Sequence, residues 1–258
     1  MTSPNPEQFH AMQNAVEGIA PESAHNDDPI GAETLRRIYK LNNLNRWMWS
    51  RIDPWVGQRV MEAGCGVGTM TAFLLDREYV CGVDLNAQHL ADLKAKLGQP
   101  DNLDTFQSDL QDPKLGQLAE KNLDTIVCLN VLEHIEDHNA ALNNFHAALR
   151  PGGRLVLLVP AYQSLYGTLD LGLSHFRRYG KRDLHDLLKS HNLNPINHRY
   201  LNMFGILGWW LNGKVLKRNL LPSGQLNLYN ALVPFFMAVE NLTGPPCGLS
   251  HVIVAEKV

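Results

Sequence analysis

The stretch Arg59–Thr71, RVMEAGCGVGTMT, decides the fold of this chain. Its apolar start is typical of a buried strand, and glycine then stands at every second position, at Gly64, Gly66 and Gly68. A run compatible with a helix follows over Thr69–Leu75. Backbone N–H groups in such a unit can face a negatively charged group, and the helix dipole favours that charge. The stretch therefore predicts a ligand-binding turn at the end of a strand.

The composition is that of an ordinary globular protein. The 258 residues are 45% hydrophobic and 19% charged, which is enough for a full core in one domain. A net charge of −3 argues against a nucleic-acid partner held by bulk charge. Four cysteines without metal-binding spacing predict reduced thiols in a cytoplasm, and the polar N-terminus shows no apolar signal segment. No uninterrupted apolar run is long enough to predict a membrane-spanning helix.

The N-terminal part divides into an arm and a helix. Residues 1–30 are rich in Pro, Asn, Glu, Asp and Ser, which predicts a flexible arm, and residues 31–258 form the predicted domain. Apolar spacing predicts a helical cap over Glu33–Ile52. Its aromatic residues have two interpretations: they pack onto the sheet, or they form a wall over the ligand. In the second, Tyr39 and Trp47 are candidate substrate contacts.

Strands and helices then alternate. Apolar runs predict strands over Arg59–Gly64, Tyr79–Leu85, Leu103–Leu110, Leu123–Asn130 and Arg154–Pro160. Helices are predicted between them, over Thr69–Asp76, Ala87–Leu97, Leu115–Lys121 and His138–Leu149. Apolar strands alternating with helices indicate a parallel sheet covered on both faces, and such sheets bind ligands beyond the carboxyl ends of their strands.

The chain is less regular after the fifth strand. Ala161–Gly180 is predicted to be a loop and Lys181–His191 a helix. Strands six and seven are predicted over Asn197–Met203 and His251–Lys257. Between them, the apolar stretch Phe204–Gly248 is expected to form two inserted helices.

Polar residues stand at the carboxyl ends of the first four predicted strands. Glu62 follows the first strand, Asp84 ends the second, and Asp109 ends the third, while Asn130–His134 follows the fourth. An acid at the end of the second strand can accept hydrogen bonds from both hydroxyls of a ribose. An acid after the third can accept one from the exocyclic amine of a purine. The sequence therefore predicts a nucleoside ligand.

The glycine spacing alone leaves two cofactor classes open. A dinucleotide fingerprint is G-x-G-x-x-G, whereas this chain has G-x-G-x-G, and the step from Gly64 to Asp84 suits either class. Taken together, EAGCGVG, GVDL, SDL, LNVLEHIEDH and LRPGGRLVLLVP resemble the ordered motifs of class I S-adenosylmethionine-dependent methyltransferases across Arg59–Pro160. The resemblance implies an α/β, Rossmann-like, seven-stranded, mostly parallel sheet whose last strand is antiparallel. The apolar stretch Phe204–Gly248 adds a helical insertion between strands six and seven of this sheet.

The same resemblance implies S-adenosylmethionine as cofactor and S-adenosyl-L-homocysteine as product. Asp84 would hold the ribose hydroxyls, Asp109 would meet the adenine amine, and the Asn130 carbonyl would lie near the ammonium group. For Glu62 and Asn130 a hydrogen bond that only orders the loop is the alternative. The implied cofactor-binding residues are Glu62, Gly64, Cys65, Gly66, Gly68, Asp84, Leu85, Ser108, Asp109, Leu110, Asn130 and Val131.

His134 is the candidate catalytic residue. A hydroxyl acceptor benefits from a base whose pKa is near neutral, and histidine is the first choice. The LEH stretch that ends at His134 is similar to one in quinone-type O-methyltransferases, some of which hold a metal there. Asn130 replaces an additional glutamate of those enzymes, so we expect no metal. A hydrogen bond that fixes the loop is the alternative role of His134.

A second informative stretch is Leu171–Leu184, which resembles a region of bacterial methyltransferases of glycan or lipid biosynthesis. Arginine and histidine beside aromatic residues can hold a phosphate, a carboxylate or a sugar. The alternative is a solvated loop in which an arginine pairs with an acid. The candidate substrate residues here are Tyr166, His175, Arg178 and Tyr179.

The insertion has several interpretations. Its aromatic residues, Trp209, Trp210, Phe235 and Phe236, can pack in the core, line an acceptor pocket facing the N-terminal helix, form a homodimer face or contact a membrane surface. We expect methylation of a small hydrophobic or lipid- or glycan-linked acceptor, with oxygen favoured over nitrogen or carbon. A non-catalytic nucleotide-binding scaffold of the same fold is the competing function, and a dinucleotide oxidoreductase is the third.

Overall fold

The structure is a computed structural model. It describes Ile30, Glu33, Thr34, Arg36, Arg37 and residues 40–258. The predicted arm, apart from Ile30, and the candidate substrate residue Tyr39 lie outside the described residues.

Helices and strands alternate through residues 40–258. The α-helices are α1 (Asn42–Ile52), α2 (Ala87–Leu97), α3 (His138–Ala148), α4 (Thr168–Gly172), α5 (Lys181–Ser190), α6 (Gly205–Trp210) and α7 (Ser223–Thr243). The strands are β1 (Arg59–Ala63), β2 (Tyr79–Asp84), β3 (Leu103–Gln107), β4 (Leu123–Leu129), β5 (Leu149–Pro160), β6 (Leu193–Leu201) and β7 (Ser250–Lys257). Short 3₁₀ segments span Asp53–Trp55, Thr71–Phe73, Pro113–Lys121, Leu132–His134 and Gln163–Leu165, and a π-helical turn spans Leu211–Val215.

The seven strands form one sheet in the order β3-β2-β1-β4-β5-β7-β6. β7 runs antiparallel to both of its neighbours, and the other neighbouring pairs are parallel. This arrangement confirms the predicted mostly parallel sheet with an antiparallel last strand. The strand order reverses between β1 and β4, which is where open sheets of this kind bind ligands.

Both faces of the sheet are buried because successive strand residues point to opposite sides. Met61 and Ile126 belong to one core, which α3 covers. Val60 and Val127, each one position away in its strand, belong to the other, which α1 and α7 cover. The carboxyl ends of the strands are therefore held rigidly from both sides.

Helix α1 packs onto the sheet and onto α7. The backbone N–H of Leu44 donates to the Asn230 side chain at 3.1 Å, and the Asn43 side chain donates to the Asn230 carbonyl at 3.0 Å. Trp47 is fully buried in the core between α1 and the sheet. It has no exposed surface to offer a substrate, so packing onto the sheet describes Trp47 and corrects its interpretation as a ligand wall.

Two predicted helices differ from the observed structure. The helix predicted over Thr69–Asp76 is reduced to the 3₁₀ turn Thr71–Phe73, so this segment does not direct the dipole of an α-helix at the glycine turn. The helix predicted from Glu33 is interrupted at Leu41, whose φ of −88° and ψ of 66° are not helical.

The chain after β5 also differs in detail. The predicted loop over Ala161–Gly180 contains α4. β6 begins at Leu193, earlier than predicted, because Pro195 is tolerated at an irregular pairing on an edge strand. Between β6 and β7 lie α6 and α7, as expected of the insertion. Among the described residues, no helix combines the length and apolarity needed to cross a membrane.

Candidate active site

The glycine turn after β1 brings bare backbone to the tips of β1 and β2. The N–H groups of Gly64 and Cys65 donate to the Val83 carbonyl at 2.8 and 3.0 Å. Gly64 has a φ of +73°, and a Cβ built there would lie 2.4 Å from Cγ2 of Val131. Glycine is therefore required at this position by both conformation and space. Gly68, with a φ of +85°, continues the left-handed turn.

Asp84 ends β2 and faces this turn. Its Oδ2 accepts from the Gly66 N–H at 2.8 Å, and its Oδ1 accepts from the Asn86 N–H at 2.9 Å. His89 Nδ1 lies 3.2 Å from Oδ1. A carboxylate offers about four acceptor positions, two on each oxygen. On Asp84, the second position of Oδ2 is free, and the second position of Oδ1 has only the longer contact with His89. These two positions suit the two hydroxyls of a ribose. The sequence motifs did not single out His89, although its position in the first helical turn after Asp84 could have indicated a contact with that acid.

Leu85 and Ser108 lie beside Asp84. The Ser108 N–H donates to the Asp84 carbonyl at 3.1 Å, which ties the end of β3 to the end of β2. Leu85 is an aliphatic side chain that leaves 66% of its surface exposed at this strand tip. A planar purine placed against Leu85 would cover this surface, which fits the implied cofactor.

Asp109 and Leu110 continue the end of β3. Oδ1 of Asp109 accepts from the Gln111 N–H at 2.9 Å, and Oδ2 has only a 3.3 Å contact with the Gln111 side chain. Asp109 therefore retains acceptor capacity for an amine. The Leu110 side chain is buried, and its carbonyl accepts from Asn144 at 2.8 Å, so Leu110 anchors this loop.

Glu62 is a buried acid beneath the glycine turn. The Thr71 hydroxyl donates to its Oε2 at 2.6 Å. Burial raises the pKa of Glu62 to about 8; the Thr71 hydrogen bond opposes this rise, and the negative charge of Asp84 adds to it. A positively charged ligand group near this turn would favour the ionised form. The Cys65 side chain points away from the turn to pack beside Gly82 and Leu93.

Asn130 ends β4 in a left-handed conformation, with a φ of +53°. Asparagine adopts this conformation more readily than most residues. The Asn130 N–H donates to the Leu158 carbonyl at 2.8 Å, so the residue orders the loop whatever its carbonyl contacts. Val131 follows and closes the space beside Gly64.

The turn after β4 brings an acid and two histidines together. Glu133, His134 and His175 each offer one potential ligand atom, and these atoms lie within 4.8 Å of one another. The rings of His134 and His175 meet edge to face, with centroids 4.6 Å apart. Two imidazoles and a carboxylate are donors that divalent transition metals accept. Asn130 is not among them, and the absence of a metal stays a prediction.

Glu133 is a functional candidate that the sequence analysis passed over, although it lies inside the LEH stretch. It is buried, and its Oε2 has no hydrogen-bond partner among the described residues. Burial raises the pKa of Glu133 to about 8. The pKa of His134 is lowered by desolvation and by the neighbouring His175, whereas the Leu173 backbone favours its charged form. More than a third of the His134 surface is exposed.

His175 is held by a buried network around Asp170. Asp170 is fully buried and accepts from His175 Nδ1 at 3.0 Å and from Arg178 Nε at 2.7 Å. Its other oxygen accepts from the Gly167 N–H at 3.0 Å and the Trp209 indole at 3.2 Å. Burial opposes the charge, but the partners His175 and Arg178 outweigh it, so the pKa of Asp170 lies below its usual value.

The network corrects two predicted substrate contacts. Arg178 is buried, pairs with Asp170 and stacks on Trp209, so it balances an internal charge and does not face a substrate anion. Tyr179 is buried too, and its hydroxyl lies 3.1 Å from His138 Nδ1. Tyr166, which is partly exposed, donates to the His175 carbonyl at 2.6 Å and fixes that loop.

An apolar cavity of about 220 Å³ opens next to this network. Its wall includes leucines of α1, α4 and the insertion, with Trp209 and Tyr229 among the aromatic residues. Leu173 lines the cavity and also contacts the His134 ring through its backbone, so the cavity adjoins the histidine pair. A cavity therefore lies between the N-terminal helix and the insertion, and its role as an acceptor pocket stays a prediction.

Comparisons with known proteins agree with this geometry. A family profile described as a methyltransferase domain matches residues 61–155. A ubiquinone biosynthesis O-methyltransferase of Idiomarina loihiensis is 30% identical over 134 residues, which cover 50% of this chain and 52% of that protein. The chain spans about half the length of curated relatives that it matches.

Solved structures show the same fold. A methyltransferase from Archaeoglobus fulgidus aligns with a TM-score of 0.58 at 14% identity, over 87% of this chain and 99% of that one. Geranyl diphosphate C-methyltransferase from Streptomyces coelicolor, solved with Mg²⁺, geranyl diphosphate and S-adenosyl-L-homocysteine, aligns with a TM-score of 0.60 at 14% identity over 100% of both chains. Profile, strand order and strand-tip residues agree: residues 61–155 match a methyltransferase domain, and the seven-stranded sheet has the fold of the S-adenosylmethionine-dependent methyltransferases.

Proposed function

We propose that this protein methylates an oxygen atom of a small, hydrophobic acceptor. The observation that carries the proposal is the apolar cavity whose Leu173 wall contacts the ring of His134. His134 stands three residues after Val131, the side chain that closes against Gly64 of the glycine turn. Acceptor pocket, candidate base and cofactor turn are thus continuous.

Residues at the strand tips hold the cofactor. Asp84 takes the ribose, Asp109 and the exposed Leu85 take the adenine, and the bare backbone from Gly64 to Gly68 takes the amino-acid part. When bound, S-adenosylmethionine supplies a methyl group on a positively charged sulfur. The protein then has to align the acceptor and exclude water, and orientation alone contributes about 7–11 kcal/mol in well-aligned systems.

His134 takes the proton of the acceptor hydroxyl. Its lowered pKa keeps the imidazole neutral near pH 7, which is the form that accepts a proton, but the same lowering makes the imidazole a weaker base than one with a near-neutral pKa. The hydrogen bond between His175 Nδ1 and Asp170 fixes the His175 ring in its edge-to-face contact with the His134 ring. His175 therefore positions His134 and is the alternative base.

Replacement of the candidate base tests the oxygen acceptor. We expect His134→Gln to lower kcat by about 10²-fold or more and to flatten the pH profile, while His146→Gln on α3 changes neither. His175→Gln should change the pH profile while retaining more activity. Turnover by His134→Gln that equals the parent at every pH would instead favour a nitrogen or carbon acceptor, or assign the proton to another group.

Filling the cavity tests the hydrophobic acceptor. Gly208 lines the cavity, and a Cβ there meets nothing within 4 Å; the same open space surrounds Gly224, which is not among the cavity-lining residues. With alkyl catechols as probes, we expect kcat/KM of the parent to rise about fourfold per added methylene. Gly208→Leu should abolish that rise and Gly224→Leu should keep it, with S-adenosyl-L-homocysteine binding unchanged in both. Equal dependence on chain length in both variants would remove this cavity from the proposal.

The family assignment has its own test in binding. Calorimetry with S-adenosyl-L-homocysteine should show binding that Asp84→Ala abolishes, and NAD should give no heat. A folded protein that binds S-adenosyl-L-homocysteine but methylates no acceptor would support the non-catalytic scaffold.

A further inference from the structure

The insertion exposes apolar side chains on the outside of both of its helices. On α6 and the turn that continues it, Leu207, Trp210 and Leu211 follow the spacing of one helix face, and all three are exposed. The neighbouring positions Gly208 and Trp209 line the cavity. This helix is therefore apolar toward the protein and apolar toward solvent, which is unusual for a surface helix.

Helix α7 repeats the pattern over a longer distance. Leu228, Leu232, Phe235 and Leu242 lie on one face and are exposed, with Leu242 at 88%. Tyr229 and Val233, on the opposite side, face the cavity and the core. Among the described residues, nine of the fourteen exposed large hydrophobic side chains belong to the insertion: Leu207, Trp210, Leu211, Val215, Leu216, Leu228, Leu232, Phe235 and Leu242. So concentrated an exposed apolar surface marks an interaction site.

All exposed charged side chains of the insertion are positive. Lys214, Lys217 and Arg218 are exposed, and none has a carboxylate within 4 Å among the described residues. Glu240, the single acid in residues 204–248, is buried and accepts from the Met203 N–H at 2.6 Å. The exposed surface of the insertion is thus cationic, although the whole chain carries a net charge of −3.

The cationic segment is anchored to the site. The Thr168 hydroxyl of α4 lies 2.6 Å from the Arg218 carbonyl and 3.0 Å from the Gly213 carbonyl. The Arg218 guanidinium donates to the Asn212 side chain at 2.9 Å. The cations are therefore held at a fixed place between α6 and α7, beside the helix that carries Asp170.

We infer that the insertion docks on an anionic membrane surface, with the outer faces of α6 and α7 among the acyl chains and the cations against the headgroups. Apolar helix faces flanked by cations bind this interface without crossing it. A dimer formed through the same surface of two copies is less favourable. It would bring two cationic segments together, and the insertion has no exposed acid that could form ion pairs with them. The inference rests on the proposed function in one respect: the cavity between the same helices receives a lipophilic acceptor from the bilayer.

Vesicle flotation with the full-length protein tests the docking. The probes are neutral vesicles of phosphatidylcholine alone and anionic vesicles of phosphatidylcholine mixed with phosphatidylglycerol. We expect binding to the anionic vesicles that falls with salt, and much weaker binding to the neutral ones. Lys214→Gln with Lys217→Gln should lower the partition coefficient on the order of tenfold, and Lys94→Gln with Lys114→Gln, both exposed elsewhere, should not.

The apolar contribution is tested separately. Trp210→Ser with Phe235→Ser should abolish flotation, whereas Ile196→Ser with Val258→Ser, exposed apolar residues outside the insertion, should leave it intact. Equal flotation of the Trp210 and Phe235 variant and the parent, no binding to anionic vesicles, or a stable dimer whose interface covers Phe235 would each overturn the inference. S-adenosyl-L-homocysteine binding should stay level in every variant, which shows that each is folded; a parent protein that floats with anionic vesicles but binds no S-adenosyl-L-homocysteine would contradict the proposed function and leave the docking intact.

Discussion

The two halves of the proposed site differ in how their acids are hydrogen-bonded. On the proposed cofactor side, Asp84 and Asp109 lie at strand tips and keep acceptor positions for a ligand. On the proposed acceptor side, Asp170 is fully buried and its two oxygens accept from four donors of the protein itself. The first half is built to exchange hydrogen bonds with a ligand, and the second to hold an apolar cavity and a histidine pair in place.

This difference predicts where substitutions act. Changes at the strand tips should alter cofactor binding with modest effects on folding, because their partners lie nearby on adjoining loops. Changes in the Asp170 network should alter folding first, because that network joins α4, the following loop and the insertion. The predictions below test this division.

The largest effect should follow from Asp170→Asn. The substitution leaves the buried Arg178 guanidinium without its counter-charge, and breaking a buried pair costs about 3–5 kcal/mol. Urea unfolding at pH 7 measures this change, and Asp186→Asn, at an exposed position of α5, should stay within about 0.5 kcal/mol. A cost below about 1 kcal/mol for Asp170→Asn would show that solvent or movement compensates Arg178, and the acceptor half would then be less rigid than proposed.

Gly64→Ala should come next. The added methyl meets Val131, and the φ of +73° is strained for alanine, which costs about 1–3 kcal/mol. Calorimetry should show weaker S-adenosyl-L-homocysteine binding. Adding Val131→Ala removes the clash but not the strain, so it should restore binding in part. Full restoration would show that space alone requires glycine there, and no effect of Gly64→Ala would show that the turn adapts freely.

The third effect depends on pH. The pKa of Glu62 is raised to about 8 in the folded protein, above its ordinary value of 4.5. Between these values the unfolded chain has lost the proton that the folded protein keeps, so stability falls as pH rises. One carboxyl lowers the free energy of unfolding by about 1.4 kcal/mol between pH 6 and pH 7. Glu62→Gln should remove this contribution in chemical unfolding at both pH values; an unchanged slope would mean that Glu62 is ionised in the folded protein.

The same division explains what the sequence could predict. Gly64, Asp84 and Asp109 were predictable because strand tips of a parallel sheet meet at one edge, so their order along the chain fixes their positions. Local hydrogen bonds then complete the arrangement. The exposed Leu85 was equally predictable, because it directly follows the acid of β2.

The acceptor half depends on contacts that the chain order does not fix. Arg178 and Tyr179 carry functional groups typical of substrate contacts, yet both are buried. Arg178 donates to Asp170, and the Tyr179 hydroxyl donates to the Leu132 carbonyl in the turn after β4. Trp47 faces the sheet because α1 docks against α7, almost 190 residues away. Glu133 lay inside a quoted motif, but only the fold brings it to His175.

The smallest expected effect is that of metal removal. Glu133, His134 and His175 could bind a divalent ion, but each histidine already has a protein contact, His175 with Asp170 and His134 with the Leu173 backbone. Asn130 offers no second carboxylate. We therefore expect dialysis against EDTA to leave turnover unchanged, and metal analysis of the purified protein to find no stoichiometric ion. Loss of turnover that Mg²⁺ or Zn²⁺ restores, and that Glu133→Gln makes permanent, would assign the cluster to a metal, because proton transfer by His134 needs no ion.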